Sequence, residues 1–275
     1  AVGFEFLRND QFDARNPFAA GEEKRLNRHQ YGGTVGGPIK RDKTFFFTSW
    51  ETTDEVRGVD YRNTVPTAAE RSGDFRAFRN NQGRSVIIYD PATTRPNPSG
   101  TGFIRDPFPG NVIPAHRIHP LAAKLLAMLP QPNLPDRTGN YVVTRDALRM
   151  RHQWDTRVDH SFSTSSKLYV RYSMTNRDDQ VPGPYDAPLI GTTQFQQAIK
   201  DQFSHNVAIG QTQVLGNNRV NEVRIGYNRI RDDLVPWVTD TTPAAFGFKG
   251  IPEGAGVTGL PRIQIGGFSN IGEAG

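Results

Sequence analysis

The sequence contains no cysteine, and this absence argues against two classes of protein. A disulfide-stapled secreted domain needs paired cysteines, and a structural zinc site usually needs thiolate ligands. Long apolar runs are missing too, since no stretch approaches the roughly 18 consecutive apolar residues of a transmembrane helix. A membrane-spanning structure built from short strands, each apolar on one side only, remains open.

The sequence also has few hydrophobic residues from which to build the core of a conventional soluble domain. Hydrophobic residues make up 36% of the chain and the mean hydropathy is −0.58, whereas globular domains are roughly 45–50% apolar when glycine is counted. Aromatic residues nevertheless reach 10%, including 17 Phe and 8 Tyr, and disordered chains are poor in aromatics. With 27 Gly and 20 Pro, the composition favours many short strands joined by turns and loops.

The small excess of positive charge does not indicate a nucleic-acid-binding protein. The chain has 33 basic and 28 acidic residues, a net charge of +5. Binding to phosphates requires clustered Lys and Arg, but here the bases lie beside acids, as in Arg41-Asp42-Lys43 and Arg231-Asp232-Asp233. We therefore expect solvated loops and a polar wall, with no nucleic-acid partner.

The usual signatures of catalysis and cofactor binding are absent. The glycine-rich stretches 32–37 and 247–259 lack the Lys-Ser/Thr of a phosphate loop and the strand-to-helix setting of a dinucleotide site. No Gly-x-Ser-x-Gly elbow is present. His116 and His119 form an isolated pair between prolines, without a third ligand. We predict no enzymatic activity, no catalytic residues, no cofactor and no metal.

Strand patterns recur along the chain, and loops separate them. Seven stretches have this pattern, at about residues 3–8, 28–37, 43–52, 151–162, 167–177, 201–215 and 219–231. The first is short, and we expect a sheet of about six strands.

Alternation is clearest after residue 151, where apolar and charged side chains take turns. Because successive side chains point to opposite faces of a strand, this alternation predicts one apolar and one polar face of the sheet. The residues assigned to a lipid-facing or girdle surface are Trp154, Val158, Phe162, Leu168, Val170, Tyr172, Val223, Ile225 and Tyr227. Those assigned to a polar inner wall are Asp155, Arg157, Asp159, Arg171, Glu222 and Arg224. His160 and His205 lie in strands, so we place them at a wall or interface.

The connections between strands are strongly unequal in length. Short turns are predicted at 38–42, 163–166 and 216–218, and long connections at about 53–150, 178–200 and 233–275. Short turns at one end and long loops at the other are typical of outer-membrane barrels. The predicted fold is therefore all-β: a partial, open antiparallel transmembrane β-barrel with long loops bearing short helices.

Two helices are predicted inside the longest loop. One lies within Pro66–Phe75, with Thr67 as its N-cap, and the other spans Ile118–Leu129 and stops at Pro130. Such elements indicate a folded lid or cap.

Two groups of residues admit a second interpretation. Asp155, Asp159 and their neighbouring arginines could perform acid–base chemistry, although alternating charges lining a barrel interior explain them better. The aromatic residues Phe45-Phe46-Phe47, Trp154, Tyr172 and Tyr227 could stack on a ligand, but interfacial girdles and lipid-facing side chains are the commoner role in a barrel.

Several stretches, in order along the chain, resemble the first barrel strands and loops of TonB-dependent outer-membrane receptors, in particular the Oar-like subgroup. They are Phe4-Glu5-Phe6-Leu7-Arg8-Asn9-Asp10, Asp13-Ala14-Arg15-Asn16, residues 27–39, 42–47, 64–67, 73–75, 89–91, 108–114 and 157–160, and Asn221-Glu222-Val223-Arg224-Ile225-Gly226-Tyr227-Asn228.

The resemblance implies that 1–275 is the N-terminal part of such a barrel, with plug and signal peptide lying outside this stretch. It implies a place in the outer membrane of a Gram-negative bacterium, lipid as one partner, and import of a scarce nutrient: a siderophore, glycan or peptide. Energy would come from the TonB–ExbB–ExbD system acting on the plug. Two alternatives are an outer-membrane structural or adhesion barrel without transport, and a secreted β-rich carbohydrate-binding module.

Overall fold

The chain forms two compact units. The computed structural model describes residues 1–13, 25–80, 82–191, 198–238, 240–252, 254 and 257–273. The first unit, here the sheet unit, comprises Ala1–Val59, Arg145–Pro182 and Gln196–Val235. The second, here the loop unit, comprises Asp60–Thr144, Gly183–Phe195 and Pro236–Gly275. Of the stretches with a family resemblance, residues 14–16 lie outside the described part, as do 192–197, 239, 253, 255–256 and 274–275 of the predicted loops.

Seven strands form one sheet in the described part of the chain. They are β1 (Val2–Asn9), β2 (Leu26–Lys40), β3 (Thr44–Asn63), β6 (Tyr141–Ser163), β7 (Ser166–Gln180), β8 (Ile199–Leu215) and β9 (Arg219–Val235), in the order β1-β2-β3-β6-β7-β8-β9. Antiparallel pairing joins β1 to β2, β2 to β3, and β6 through β9 in succession. The all-β, open antiparallel architecture is confirmed, with seven strands rather than about six.

Tight turns join alternate strands at the three predicted places, but two are shorter than predicted, because residues 38–40 belong to β2 and Ser163 and Ser166 to β6 and β7. Residues 41–43 connect β2 to β3, residues 164–165 connect β6 to β7, and residues 216–218 connect β8 to β9. Asp42 has φ 60° and Gly216 has φ 67°, so the chain reverses through the left-handed region at both. Asp and Gly tolerate that region better than most residues.

The strands are longer than the sequence predicted. β3 continues to Asn63 instead of ending near residue 52, and β6 begins at Tyr141 instead of near 151. The long loop is therefore 64–140 rather than 53–150, and the other two begin after Gln180 and Val235. Apolar alternation is weak in these extensions because ion pairs occupy them: Arg149 lies 2.9 Å from Asp179 and 3.9 Å from Glu55.

The loop unit has a hydrophobic core of its own. Its buried residues come from all three long connections: Val65, Leu125, Leu129, Tyr185, Leu189, Leu260 and Ile271. A connection that buries this many apolar side chains is a folded element, in agreement with the predicted cap.

The helices are short and belong to the loop unit. They are α1 (Ala68–Arg71), α2 (Pro120–Met128) and α3 (Pro243–Phe246), with 3₁₀ turns at Pro91–Thr93, Pro109–Asn111 and Ala115–Arg117 and a small hairpin of β4 (Arg95–Pro96) and β5 (Phe103–Ile104). A further 3₁₀ turn, Asp10–Phe12, follows β1 in the sheet unit. Among the described residues, no helix is long and apolar enough to cross a membrane.

The predicted N-cap of the first helix is confirmed. Thr67 accepts a hydrogen bond from the backbone of Glu70, whose carboxylate accepts one from the backbone of Thr67 in return. This reciprocal pair is a capping box. The helix that follows has four residues, so the predicted span Pro66–Phe75 was too long. The second helix matches its prediction within two residues at each end.

Candidate functional site

The register of the sheet places the six predicted wall residues on one face. Residues directly opposite each other in an antiparallel pair point to the same side. Arg157 lies opposite Arg171, and Asp155 opposite Ser173. On the other hairpin, Arg224 lies opposite Gly210, which itself lies opposite Tyr169 of β7. Asp159 and Glu222 fall on the same side by strand alternation. We call this side the polar face.

Hydrogen bonds and ion pairs organise the polar face into small groups. The Arg157 guanidinium donates to the Asp159 carboxylate at 2.7 and 2.8 Å, and the Ser173 hydroxyl donates to Asp155 at 2.5 Å. Glu222 accepts from Arg224 at 2.8 Å. The predicted residues therefore fall into separate groups: Arg157 with Asp159 and Asp155 with Ser173 on β6 and β7, and Glu222 with Arg224 on β9. Arg171 instead donates to Asn206 of β8 at 3.3 Å.

Tyr169 extends the polar group on β6 and β7, and sequence reasoning missed its role. The Arg157 guanidinium carbon lies 4.4 Å from the centre of the Tyr169 ring, a cation–π contact. The same ring covers Gly210 on β8, leaving no room there for a Cβ atom. Its alternation with charged neighbours was visible in the sequence, but the cross-strand glycine beneath it was not.

The predicted lipid-facing residues share the opposite side, here the apolar face. Val158 lies opposite Val170, Val170 opposite Ile209, and Ile209 opposite Ile225. The remaining members follow by alternation: Trp154, Phe162, Leu168, Tyr172, Val223 and Tyr227. Many of these side chains are exposed, including Ile225 at 64% and Phe162 at 58%, so the described part of the chain leaves much of this face uncovered.

The spacing of aromatic residues on the apolar face suits a bilayer. Trp154 and Phe162 lie on the same side of β6, eight residues apart. At about 3.3 Å per residue this separation is roughly 26 Å along the strand. Because barrel strands are tilted by roughly 35–45°, this length spans about 20 Å of membrane thickness, which is most of the roughly 25 Å apolar band that aromatic girdles bound in outer-membrane barrels.

The apolar face also carries polar side chains that bond to each other. Thr44 bonds to His160 at 2.8 Å, Thr48 to Thr156 at 2.9 Å, and Thr52 to His152 at 2.8 Å. These pairs follow β3 and β6 in register, so the polar atoms of these six side chains find partners across the strands on an otherwise apolar side. The Tyr172 hydroxyl is likewise bonded to His205 at 2.6 Å. The predicted placement of His160 and His205 at a wall is consistent with these contacts.

Glycines in β2 allow an aromatic residue to lie close to the backbone. Gly32 lies opposite Phe4 of β1, and a Cβ at Gly32 would come within 3.0 Å of the Phe4 ring. It would also collide with the backbone oxygen of Trp50. Gly32 is therefore a position in β2 that a residue with a Cβ atom would not fit.

A second candidate site is a cavity of about 660 Å³ inside the loop unit. Most of its wall is apolar and comes from the first and third long connections, with Tyr185 added from the second: Val65, Phe75, Phe78, Val86, Ile88, Ile113, Leu121, Leu125, Leu126, Leu129, Phe248, Ile263, Ile265, Phe268 and Ile271. Small-molecule sites typically measure roughly 300–1,000 Å³.

The charged groups along the cavity wall are bonded to the protein. Arg71 donates to the backbone oxygens of Pro66 at 3.0 Å, Leu129 at 3.1 Å and Pro130 at 2.5 Å, and also to that of Leu126. It thereby serves the carbonyls at the end of α2, which have no partner within the helix. Burial of Arg71 lowers its pKa.

Two further charges on this wall are paired. The Arg117 guanidinium donates two hydrogen bonds to the Asp90 carboxylate, at 2.5 and 3.0 Å. This bidentate pairing lowers the pKa of the Asp90 carboxyl. Glu70 is buried and lies 3.2 Å from Arg137. Sequence reasoning missed these pairs because their members are distant along the chain.

His116 and His119 do not come together around a metal site. His119 is the N-cap of α2, and its Nδ1 accepts a hydrogen bond from the backbone of Leu121 at 3.1 Å. His116 lies in a 3₁₀ turn. Within the described residues, no group of three or more His, Asp or Glu side chains is arranged to hold a metal ion.

These features define a class of protein. An antiparallel sheet with one polar and one exposed apolar face, tight turns at one end and long folded connections at the other, is part of the wall of an outer-membrane β-barrel. The comparison with protein families agrees: the family model described as "Outer membrane beta barrel domain" matches residues 2–275. The chain belongs to this family, which places it in the outer membrane of a Gram-negative bacterium. No curated protein and no solved structure matches the chain.

Proposed function

We propose that the chain is part of a TonB-dependent outer-membrane transporter of the Oar-like type, which binds and imports a scarce nutrient such as a siderophore, glycan or peptide. One observation carries the proposal: all three long connections fold into a single unit with a buried core. A passive pore gains little from such an elaborate structure, whereas a transporter that must capture a rare compound needs a shaped binding surface.

The polar face supports the same proposal. Its charged groups are held in pairs, such as Arg157 with Asp159 and Arg224 with Glu222. In a barrel, these residues would line the interior and the apolar face would contact lipid. Import would be driven by the TonB–ExbB–ExbD system, acting through a plug in the same protein. The partners we propose are therefore outer-membrane lipid, the TonB system and the imported compound, with no nucleic acid and no catalytic activity.

Uptake in a living cell tests this proposal. Radiolabelled ferric siderophores, oligosaccharides and peptides would be supplied to wild-type cells, to a deletion of the full gene and to a strain lacking TonB. We expect uptake of at least one compound to fall in both mutant strains. A gene variant carrying Arg157→Ala and Asp159→Ala should reduce that uptake, while Val170→Ala on the apolar face should not.

The opposite result would favour the structural or adhesion alternative. If uptake of every compound is unchanged in the deletion strain, the transport proposal fails. If uptake falls in the deletion strain but not in the strain lacking TonB, the protein is a passive pore and the energy-coupled mechanism fails.

A further inference from the structure

We propose that the 660 Å³ cavity of the loop unit binds an uncharged, ring-containing apolar small molecule. This inference concerns binding alone and goes beyond import, because it holds whether or not the bound compound is carried across the membrane. It rests on the shape, aromatic content and charge of the cavity wall.

Aromatic side chains form one end of the cavity. Phe75 and Phe78 meet edge to face with ring centres 5.6 Å apart, and Phe78 lies 5.4 Å from Phe268. Phe248 lines the wall as well. Aromatic rings associate favourably with further rings in offset or edge-to-face arrangements. A ligand that contains a ring therefore fits this end better than a flexible aliphatic chain.

The charges on the wall argue against an ionised ligand. Arg71 is bonded to backbone oxygens, Arg117 is paired with Asp90, and Glu70 is paired with Arg137. To bind Arg71, Arg117 or Glu70, an ionised ligand would have to displace a partner that already contacts that residue, which is costly. An uncharged molecule meets no such penalty.

The cavity is also formed in advance. Five of the seven core residues line it, among them Tyr185 from the second connection, and the pairing of Asn140 with Val65 fixes one of its walls. A site that is already shaped costs less ordering on binding. An apolar ligand would in turn remove apolar wall area from water, which is the main source of its affinity.

A thiol-protection experiment tests the proposal, because residues 1–275 contain no cysteine and an introduced thiol is therefore the only one in this region. Ala122 and Ala123 are neighbours on α2 and are both exposed, but only Ala122 lines the cavity. The full-length proteins carrying Ala122→Cys or Ala123→Cys would be treated with N-phenylmaleimide. Modification of each thiol would be followed by mass spectrometry, with and without 2-naphthol, an uncharged two-ring probe, or 2-naphthoate, its charged counterpart of similar size.

We expect 2-naphthol to slow modification at position 122 and to leave position 123 unchanged. At ten times its Kd the slowing should be about ten-fold by mass action, and 2-naphthoate should protect far less. Equal protection by both probes would overturn the assignment to an uncharged ligand. Protection at both positions, no protection at position 122, or a thiol at 122 that never reacts would each overturn the site itself, the last because the cavity would then be filled by the protein.

Discussion

The side-chain amide of Asn140 bonds to both backbone groups of Val65. Its Oδ1 accepts from the Val65 N–H and its Nδ2 donates to the Val65 carbonyl, each at 2.8 Å, across 75 residues of sequence. Asn140 is completely buried. One side chain thus makes the two hydrogen bonds to the Val65 backbone that a paired strand would otherwise make. It thereby joins the two ends of the longest connection.

Replacing Asn140 by Ala should destabilise the loop unit by roughly 3 kcal/mol. Two buried backbone groups of Val65 would lose their partners, at about 1–3 kcal/mol each where water cannot replace them. Asn133 is the matched control, since its side-chain amide makes the same pair of hydrogen bonds to the backbone of Val142, at 2.7 and 2.9 Å, on the exposed surface. Asn133→Ala should cost about 1 kcal/mol or less. Hydrogen exchange of the amide groups in 64–80 would measure both. Equal effects of the two variants would contradict this argument.

Replacing Arg71 by Lys should loosen the end of α2. The planar guanidinium serves four backbone oxygens from a rigid fork, whereas an ammonium group reaches fewer of them. The expected loss is about 2 kcal/mol, the range of one or two hydrogen bonds to a charged group. Limited proteolysis around 126–132 would report it. Arg76→Lys is the control, because Arg76 is exposed and contacts only nearby residues; cleavage that rises equally in both variants would contradict the proposed role of Arg71.

Stability of the segment around Glu273 should fall as pH rises from acid. Burial raises the pKa of this carboxyl above its ordinary 4.5, although it accepts bonds from the backbones of Trp237 and Val238. The folded state therefore holds the proton more tightly than the unfolded state. Its contribution is complete below pH 4.5 and is lost as pH rises through the raised folded value.

The variant Glu273→Gln should remove that pH dependence while keeping one acceptor for the two backbone groups. Hydrogen exchange in 257–273, compared between the two proteins across the acid range and corrected for the intrinsic effect of pH, would measure it. A wild-type profile parallel to that of the glutamine variant would show that the carboxyl does not titrate as argued.

A methyl group at Gly210 should impair folding of the sheet. The Tyr169 ring occupies the space where a Cβ would lie, so Gly210→Ala forces the ring or the strands apart, at about 1–3 kcal/mol. Gly226, its near neighbour on β9, has only one backbone atom within 3.9 Å of that position. Gly226→Ala should stay within about 0.5 kcal/mol of wild type. The heat-induced shift in electrophoretic mobility of the full-length protein would report the folding of each variant. If the Gly210→Ala variant folds to the same extent as the Gly226→Ala variant, the close contact at Gly210 is contradicted.

An arginine placed on each face of β7 should show which face contacts lipid. Val170→Arg puts a charge on the apolar face and should cost about 2–4 kcal/mol near the middle of the bilayer. Ser173→Arg puts the same charge on the polar face, where Asp155 lies within hydrogen-bonding distance of the native serine. We expect assembly in the outer membrane to fail for the first variant and to succeed for the second. The reverse outcome would exchange the two faces.

Much of the sheet could be predicted from the sequence because its signal is local. Side chains alternate with a period of two residues, so the faces of β6, β7 and β9 are legible without any partner strand. The turn at 216–218 was located to the residue for the same reason. Prediction failed at 53–63 and 141–150, where Glu55, Arg149 and Asp179 stabilise the strands by ion pairs between different strands and leave no apolar alternation.

The sequence by itself determined the two-faced strands, the alternation of short and long connections and the absence of metal-binding or catalytic motifs. Only the tertiary structure decided how the long connections fold. The Asn140–Val65 pairing, the bonds from Arg71 to the end of α2 and the apolar cavity all join residues far apart in the chain. Such contacts leave no periodic pattern in the sequence, because they depend on which backbone groups and apolar surfaces the folded chain leaves without partners.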